Sequence, residues 1–318
     1  MADRDLLWSR RVLASIMRRV PTRMRKLDWW CEKLYRRLGG GGYSEDAATD
    51  ARWPAGLQPP VRARDGFRMR LDLSDWSDRR AYFSGEYYQR DLSELLRRIV
   101  RPGDRFIDIG ANIGLVTLLA ARGVGRAGRV LAFEPNPGPL ARLREHVAIN
   151  GLQQVEVHDV ALAEAAGSAE LFVASEHTGK GTLTVDGGAG GRVSVRLVRG
   201  DDLVRPADSA TIIKLDVEGY ELKVLRGLEQ LLRAQDAIVI VEVTDFMLKR
   251  VGESAAALCE FLEGLGYESY SFELLQRRWN RGIALRRAPG VQTGEQYDAL
   301  FARDGRMKRE RLAALIRE

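Results

Sequence analysis

The sequence predicts an α/β protein of the Rossmann-like type, built on a mostly parallel sheet with helices on both faces that begins near residue 100. From Arg101 onward short apolar runs alternate with helical stretches, as they do where crossover helices join parallel strands. The first run, Phe106-Ile107-Asp108-Ile109, passes straight into the glycine-bearing turn Gly110-Ala111-Asn112-Ile113-Gly114. Twenty residues beyond Gly114 an acid, Glu134, closes the next run, which is the order of parts in a nucleotide-type cofactor site.

Strands are expected at 105–109, 129–133, 155–160, 211–215, 237–243 and 267–272, because each is a short apolar run with turn residues at its ends. Helical periodicity fills most gaps between them, at 113–122, 137–149, 220–233 and 254–265. Between 161 and 210 the alternation lapses, and 169–173 and 193–198 read as added β structure around a glycine-rich turn at 187–191. No internal repeat is present.

The ends differ from the middle. Residues 1–40 carry eleven Lys and Arg against four Asp and Glu, and residues 277–318 carry eleven against five. The whole chain has a formal charge of only +6, so the body between them is acidic. Such a body argues against a nucleic-acid partner, whose phosphates need clustered Lys and Arg. In the head, Leu13, Ile16, Met17 and Val20, then Met24, Leu27, Cys31, Leu34, Tyr35 and Leu38, recur at helical spacing with Trp29 and Trp30 among them. Two readings of this helical extension stay open: a helix pair packed on itself or on a second copy of the chain, and an interfacial pair in peripheral contact with a membrane. Residues 41–79 read as a linker, 80–290 as the catalytic domain and 291–318 as a basic tail with a last amphipathic helix at 306–317.

Two cysteines, Cys31 and Cys259, and three scattered histidines exclude a disulfide framework and a zinc site. Arginines interrupt the apolar residues at the N-terminus, and no stretch approaches a membrane span, so the expected location is the cytoplasm or the inner face of its membrane.

The chemistry concentrates in two motifs. A dinucleotide site calls for G-x-G-x-x-G, with helix amides free to bind a pyrophosphate. Here the spacing is G-A-N-I-G after Asp108, whose carboxylate repels a pyrophosphate and suits a cofactor with an ammonium and a sulfonium, such as S-adenosylmethionine. Glu134 is placed to accept hydrogen bonds from both ribose hydroxyls. The second motif, Lys214-Leu215-Asp216-Val217-Glu218-Gly219-Tyr220-Glu221, ends the fourth strand, and ligands of open α/β sheets bind outside the carboxyl ends of strands. Methyl transfer to a hydroxyl needs alignment and a proton acceptor. Glu218 is the candidate base, with Asp216 beside it. Lys214 or a bound cation is the candidate for lowering the hydroxyl's pKa, and Asp216 with Glu242 is the candidate pair for magnesium. Glu221 reads as an acid favoured by a helix N-terminus.

These motifs resemble the FkbM-type S-adenosylmethionine-dependent methyltransferases. The resemblance runs over roughly 80–270 and rests on Pro102-Gly103-Asp104, F-I-D-I-G-A-N-I-G at 106–114, F-E-P-N at 133–136, V-A-L at 160–162 with Gly167, and L-D-V-E-G-Y-E at 215–221 with Val224-Leu225-Arg226-Gly227. It implies a class I methyltransferase fold with a seven-stranded sheet. It places Asp108, Gly110, Asn112 and Gly114 around the methionine part of the cofactor, Glu134 and Asn136 around ribose, and Asp159, Val160 and Ala161 near adenine. Gly85-Glu86-Tyr87 is implied to close over the cofactor. The acceptors implied are hydroxyls of sugars, glycolipids and secondary metabolites. In related macrocin-type enzymes paired aspartates hold magnesium where this chain has the single Glu242 before Val243. Two other functions compete: a non-catalytic module that docks through the basic head, and a nicotinamide-dependent dehydrogenase, which the glycine spacing disfavours.

Overall fold

The computed structural model describes Ser15 and residues 56–317, apart from 64, 86, 175–180, 183–189, 277–280 and 293–295. The helices expected in 1–40 therefore fall outside the described residues, Ser15 excepted, which is helical. Two units are formed, 1–90 with 275–282, and 91–274 with 283–318.

In the smaller unit β1 (Val61–Arg62) pairs antiparallel with β2 (Arg68–Met69). The alternation that follows buries Leu71 and Leu73, each 1% exposed. Asp75 then caps α1 (Trp76–Ser84), accepting from the Ser77 and Asp78 amides. This corrects the linker reading of 41–79 over its described part. Two aspartates organise this segment, Asp72 by accepting from the Ser74 amide and Asp75 as the cap.

The main unit runs from α2 (Arg90–Ile99) through β3 (Arg105–Ile109), α3 (Leu115–Val124), β4 (Arg129–Phe133), α4 (Pro137–Ile149) and β5 (Val155–His158). Next come β6 (Ala161–Ala163), β7 (Gly167–Ala174), β8 (Gly181–Thr182), β9 (Gly190–Arg199) and the short α5 (Gly200–Leu203). The chain returns as β10 (Thr211–Leu215), α6 (Glu221–Gly227), α7 (Glu229–Ala234), β11 (Ala237–Thr244), α8 (Asp245–Arg250) and α9 (Ala255–Gly264). It finishes with β12 (Tyr267–Gln276), β13 (Arg281–Arg287), β14 (Gln296–Arg303), a π-helical turn at Lys308–Leu312 and β15 (Ile316–Arg317).

The expected seven strands are present in the order β5-β4-β3-β10-β11-β14-β12, and β13 and β15 extend the sheet to nine. Neighbours from β5 to β11 are parallel, whereas β14 runs antiparallel between β11 and β12. The insert expected between 161 and 210 forms its own four-stranded sheet, β6-β9-β7-β8. The basic tail is corrected. Residues 296–303 are a strand of the main sheet, and the helical part of 306–317 ends at Leu312. Its Ala299, Leu300, Phe301 and Ala302 are 1% exposed or less, so burial against both neighbouring strands outweighs the charges around them.

Side-chain parity separates the two faces of the sheet. Ile107, Ile109, Ile213, Leu215, Val239, Val241 and Phe301 pack with Leu222, Leu225, Leu231, Leu258 and Leu262 of α6, α7 and α9 in one apolar core. The other face carries Ala132 under Leu143 of α4, and Asp108 under Thr117 of α3.

Candidate active site

From β3, the first strand of the parallel set, the chain moves outward one way through β4 and β5 and the other way through β10 and β11. The strand order reverses between β3 and β10, which opens a crevice at their carboxyl ends. The two loops at that crevice touch. The Asp216 amide donates to the Ile109 carbonyl at 3.0 Å, and a Cβ on Gly110 would lie 1.8 Å from the Asp216 carbonyl oxygen. Gly110 has φ +80°, so both space and backbone conformation require glycine there. Gly114, at φ +92°, starts α3 with Leu143 against its backbone. The only described residues other than glycine with positive φ are Asn112 and Glu218, one in each loop. Strained conformations of this kind collect at functional sites.

Glu134 is 6% exposed and held between two backbone donors. Its Oε1 accepts from the Asn136 amide at 2.8 Å and its Oε2 from the Asn112 amide at 2.7 Å. Burial nevertheless pushes it up to about 7, against the pull of those two N–H groups. Asn136 caps α4, its Oδ1 accepting from the Gly138 amide, while its buried Nδ2 has no partner. Asp108 is buried against Thr117, whose hydroxyl donates to Oδ2 at 2.5 Å, and burial raises it to about 6. Of the residues implied for adenine, Val160 and Ala161 are buried, whereas Asp159 is exposed and paired with Arg144 at 3.2 Å. Tyr87 belongs to the smaller unit, its ring 4.5 Å from that of Tyr88, and Glu86 lies outside the described residues.

Across the crevice Lys214 is 2% exposed and its Nζ donates to Asp216 Oδ2 at 2.7 Å. Burial works against its charge, but Asp216, Glu242 and Asp298 together hold it above the ordinary lysine value. Asp216 is held below the usual carboxylate range, since Lys214 and hydrogen bonds with Glu242 and Lys214 outweigh its burial. Burial and the charge of Asp216 push Glu242 up to about 9. Glu218 stands half-buried with φ +54°, and the next backbone unit, Gly219, packs so closely on Met247 that a Cβ would meet its carbonyl at 2.6 Å.

The magnesium expectation is not supported. Among the described residues no group of three or more His, Cys, Asp or Glu side chains is placed to hold a metal ion. Asp216 and Glu242 do meet, but they hydrogen-bond to each other, and an ammonium already sits on Asp216.

Three contributors were not legible as site residues. Asp298 lies opposite Glu242 in the β11–β14 register, in a stretch read as tail. His146, 0% exposed, donates through Nδ1 to the Ile113 carbonyl at 2.7 Å and so braces the first loop from α4. Glu221, read as a helix-end acid, accepts from the Val217 and Gly219 amides and braces the second.

The fold and crevice define a Rossmann-like α/β domain with a group of buried acids at its switch point. Residues 108–269 match the FkbM methyltransferase domain, and the chain belongs to that family. It is 30% identical over 157 residues to the hexuronic acid methyltransferase AglP of Haloferax volcanii, a match covering 49% of this chain and 62% of that protein. It is likewise 30% identical over 198 residues to the 31-O-demethyl-FK506 methyltransferase FkbM of Streptomyces tacrolimicus, covering 52% of this chain and 73% of the relative. A solved FkbM methyltransferase from Methylobacillus flagellatus superposes with a TM-score of 0.36 at 17% identity, over 71% of this chain and 53% of that one. The chain thus spans less than two thirds of the AglP sequence it matches. No helix among the described residues is long and apolar enough to cross a membrane.

Proposed function

We propose that this chain is an S-adenosylmethionine-dependent O-methyltransferase acting on a hydroxyl of a sugar, glycolipid or secondary metabolite. The observation that carries the cofactor reading is the state of Glu134. Each of its oxygens accepts one backbone N–H, and a carboxylate has about four acceptor sites, which leaves one on each oxygen for a vicinal diol. The unpartnered Nδ2 of Asn136 adds a donor beside it. Asp108, Gly110, Asn112 and Gly114 form the loop that would hold the amino-acid end, its two glycines supplying the positive-φ turn and the room for Asp216 and Leu143 to pack against it.

The cofactor, when bound, supplies an electrophilic methyl group on a sulfonium. The chain's own residues have to align the acceptor and take its proton. Glu218 is the proposed base, on a loop fixed by Glu221 and by Met247. Asp216, kept ionised by Lys214, orients the hydroxyl or takes part in accepting its proton. The acceptor class is supported by the relatives, one named for a hexuronic acid and one for an O-demethylated metabolite.

The test is transfer of radiolabelled methyl from S-adenosylmethionine to a panel of uronic acids, glycolipids and hydroxylated metabolites. Label in an alkali-stable ether of one acceptor, absent with Glu218→Gln, is the expected result. Label recovered only as an ester or on nitrogen would overturn the hydroxyl assignment.

A further inference from the structure

Four adjacent strands each bring an ionisable side chain to one face of the sheet near its carboxyl ends. Lys214 of β10 is aligned with Asp108 of β3. On β11, Ile240 is aligned with Lys214, and Glu242, two residues on, shares its face and is the register partner of Asp298 on β14. Asp216, two residues beyond Lys214, hydrogen-bonds to both Lys214 and Glu242. Apolar residues fill the opposite face, so this side of the sheet is where the charge has been gathered.

Acids gathered out of water either take up a proton, as Glu242 does, or stay ionised beside a cation, as Asp216 does. Carboxylates removed from water without one are strongly disfavoured, and the usual supplier at strand ends is a divalent metal held by three or more ligands. Here the cation belongs to the chain. The Lys214 ammonium is almost fully buried at 2.7 Å from Asp216, and Glu242 and Asp298 act on it electrostatically. The Asp298 Oδ1 is shielded from solvent and has no hydrogen-bond partner, so the charge of Lys214 is the compensation it has from the cluster.

We infer that Lys214 is the resident cation of this site, a positioning residue that takes the charge role of a divalent metal and keeps Asp216 ionised at the crevice. The site then takes no metal, whatever the acceptor is. The inference stands apart from the methyl-transfer reading, because it is tested by binding and stability alone.

The experiment has two arms on the full chain. Mn²⁺ is titrated into wild type and followed by electron paramagnetic resonance. No bound signal at millimolar metal, and no change in melting temperature with EDTA or Mg²⁺, is expected. Lys214→Met should lower the melting temperature by roughly 10 °C, because removing one partner strands a buried charge. Adding Asp216→Asn to that variant should recover most of the loss. Should Lys214→Met not fold, the double variant still decides: folding near wild type supports the charge role. Mn²⁺ bound by wild type and lost in Asp216→Asn overturns the inference. So does a Lys214→Met protein as stable as wild type, or a double variant no better than the single one.

Discussion

Gly110 and Asp216 meet backbone to backbone across the switch point of the sheet, and a Cβ on Gly110 would stand 1.8 Å from the Asp216 carbonyl oxygen. Two loops far apart in sequence are thereby held as one wall of the crevice. Gly110→Ala must both push that wall apart and adopt a left-handed backbone. We expect a loss of roughly 2–4 kcal/mol in stability and of cofactor binding, read by denaturant unfolding and calorimetry. A variant with wild-type stability would show that the loops part easily and that the contact is incidental.

Glu134 links the site to pH. Its pKa of about 7 reflects burial, and hydroxyl donors favour the ionised form. Affinity for S-adenosylmethionine should therefore tighten as pH rises from about 6 to about 8. Glu134→Gln keeps an acceptor for one of the two amides and loses the charge, so it should bind about 10- to 100-fold more weakly, with a flat profile. A steep profile that survives in Glu134→Gln would assign the titration to another group.

Glu221 concerns stability. Its folded pKa of about 7 lies above the ordinary value of 4.5, again through burial. The protonated form is favoured on folding, so its contribution is fully present below about pH 4.5 and is lost as pH rises through about 7. Glu221→Gln retains the oxygen that the Val217 and Gly219 amides need. Unfolding free energies at pH 5 and pH 8 should differ less in the variant than in wild type by about one ionisable group's worth of linkage. An equal difference in both proteins would place the linkage elsewhere.

Glu218 carries backbone strain at φ +54°. Glu218→Gly should relieve it and gain up to about 1 kcal/mol in stability, while abolishing turnover. Glu218→Gln should keep cofactor affinity and lose turnover as well. Retained turnover in Glu218→Gln would move the proton-accepting role to Asp216.

Much of this was legible in the sequence because the signals were local. The run 105–109, the G-A-N-I-G turn and the helix at 137–149, started by Asn136 and Pro137, depend on neighbours within a few residues, and all three form as read. The helix read across 220–233 is instead two, α6 and α7, meeting at Leu228 directly after Gly227, where a Cβ would lie 1.9 Å from the Ala163 carbonyl oxygen. The strand 296–303 was hidden for a different reason. Gln-Tyr-Asp-Ala-Leu-Phe-Ala-Arg has polar ends and a short apolar middle, and only pairing with β11 and β12 makes it a central strand. Asp298 was hidden with it, since its place opposite Glu242 follows from register between segments more than fifty residues apart.

The most direct test of the account is calorimetric titration of the purified chain with S-adenosylmethionine, S-adenosylhomocysteine and NAD, each with and without magnesium. We predict that the first two bind, that NAD does not, and that magnesium changes neither affinity. Binding of NAD in place of the adenosyl ligands, or adenosyl binding that requires magnesium, would contradict it.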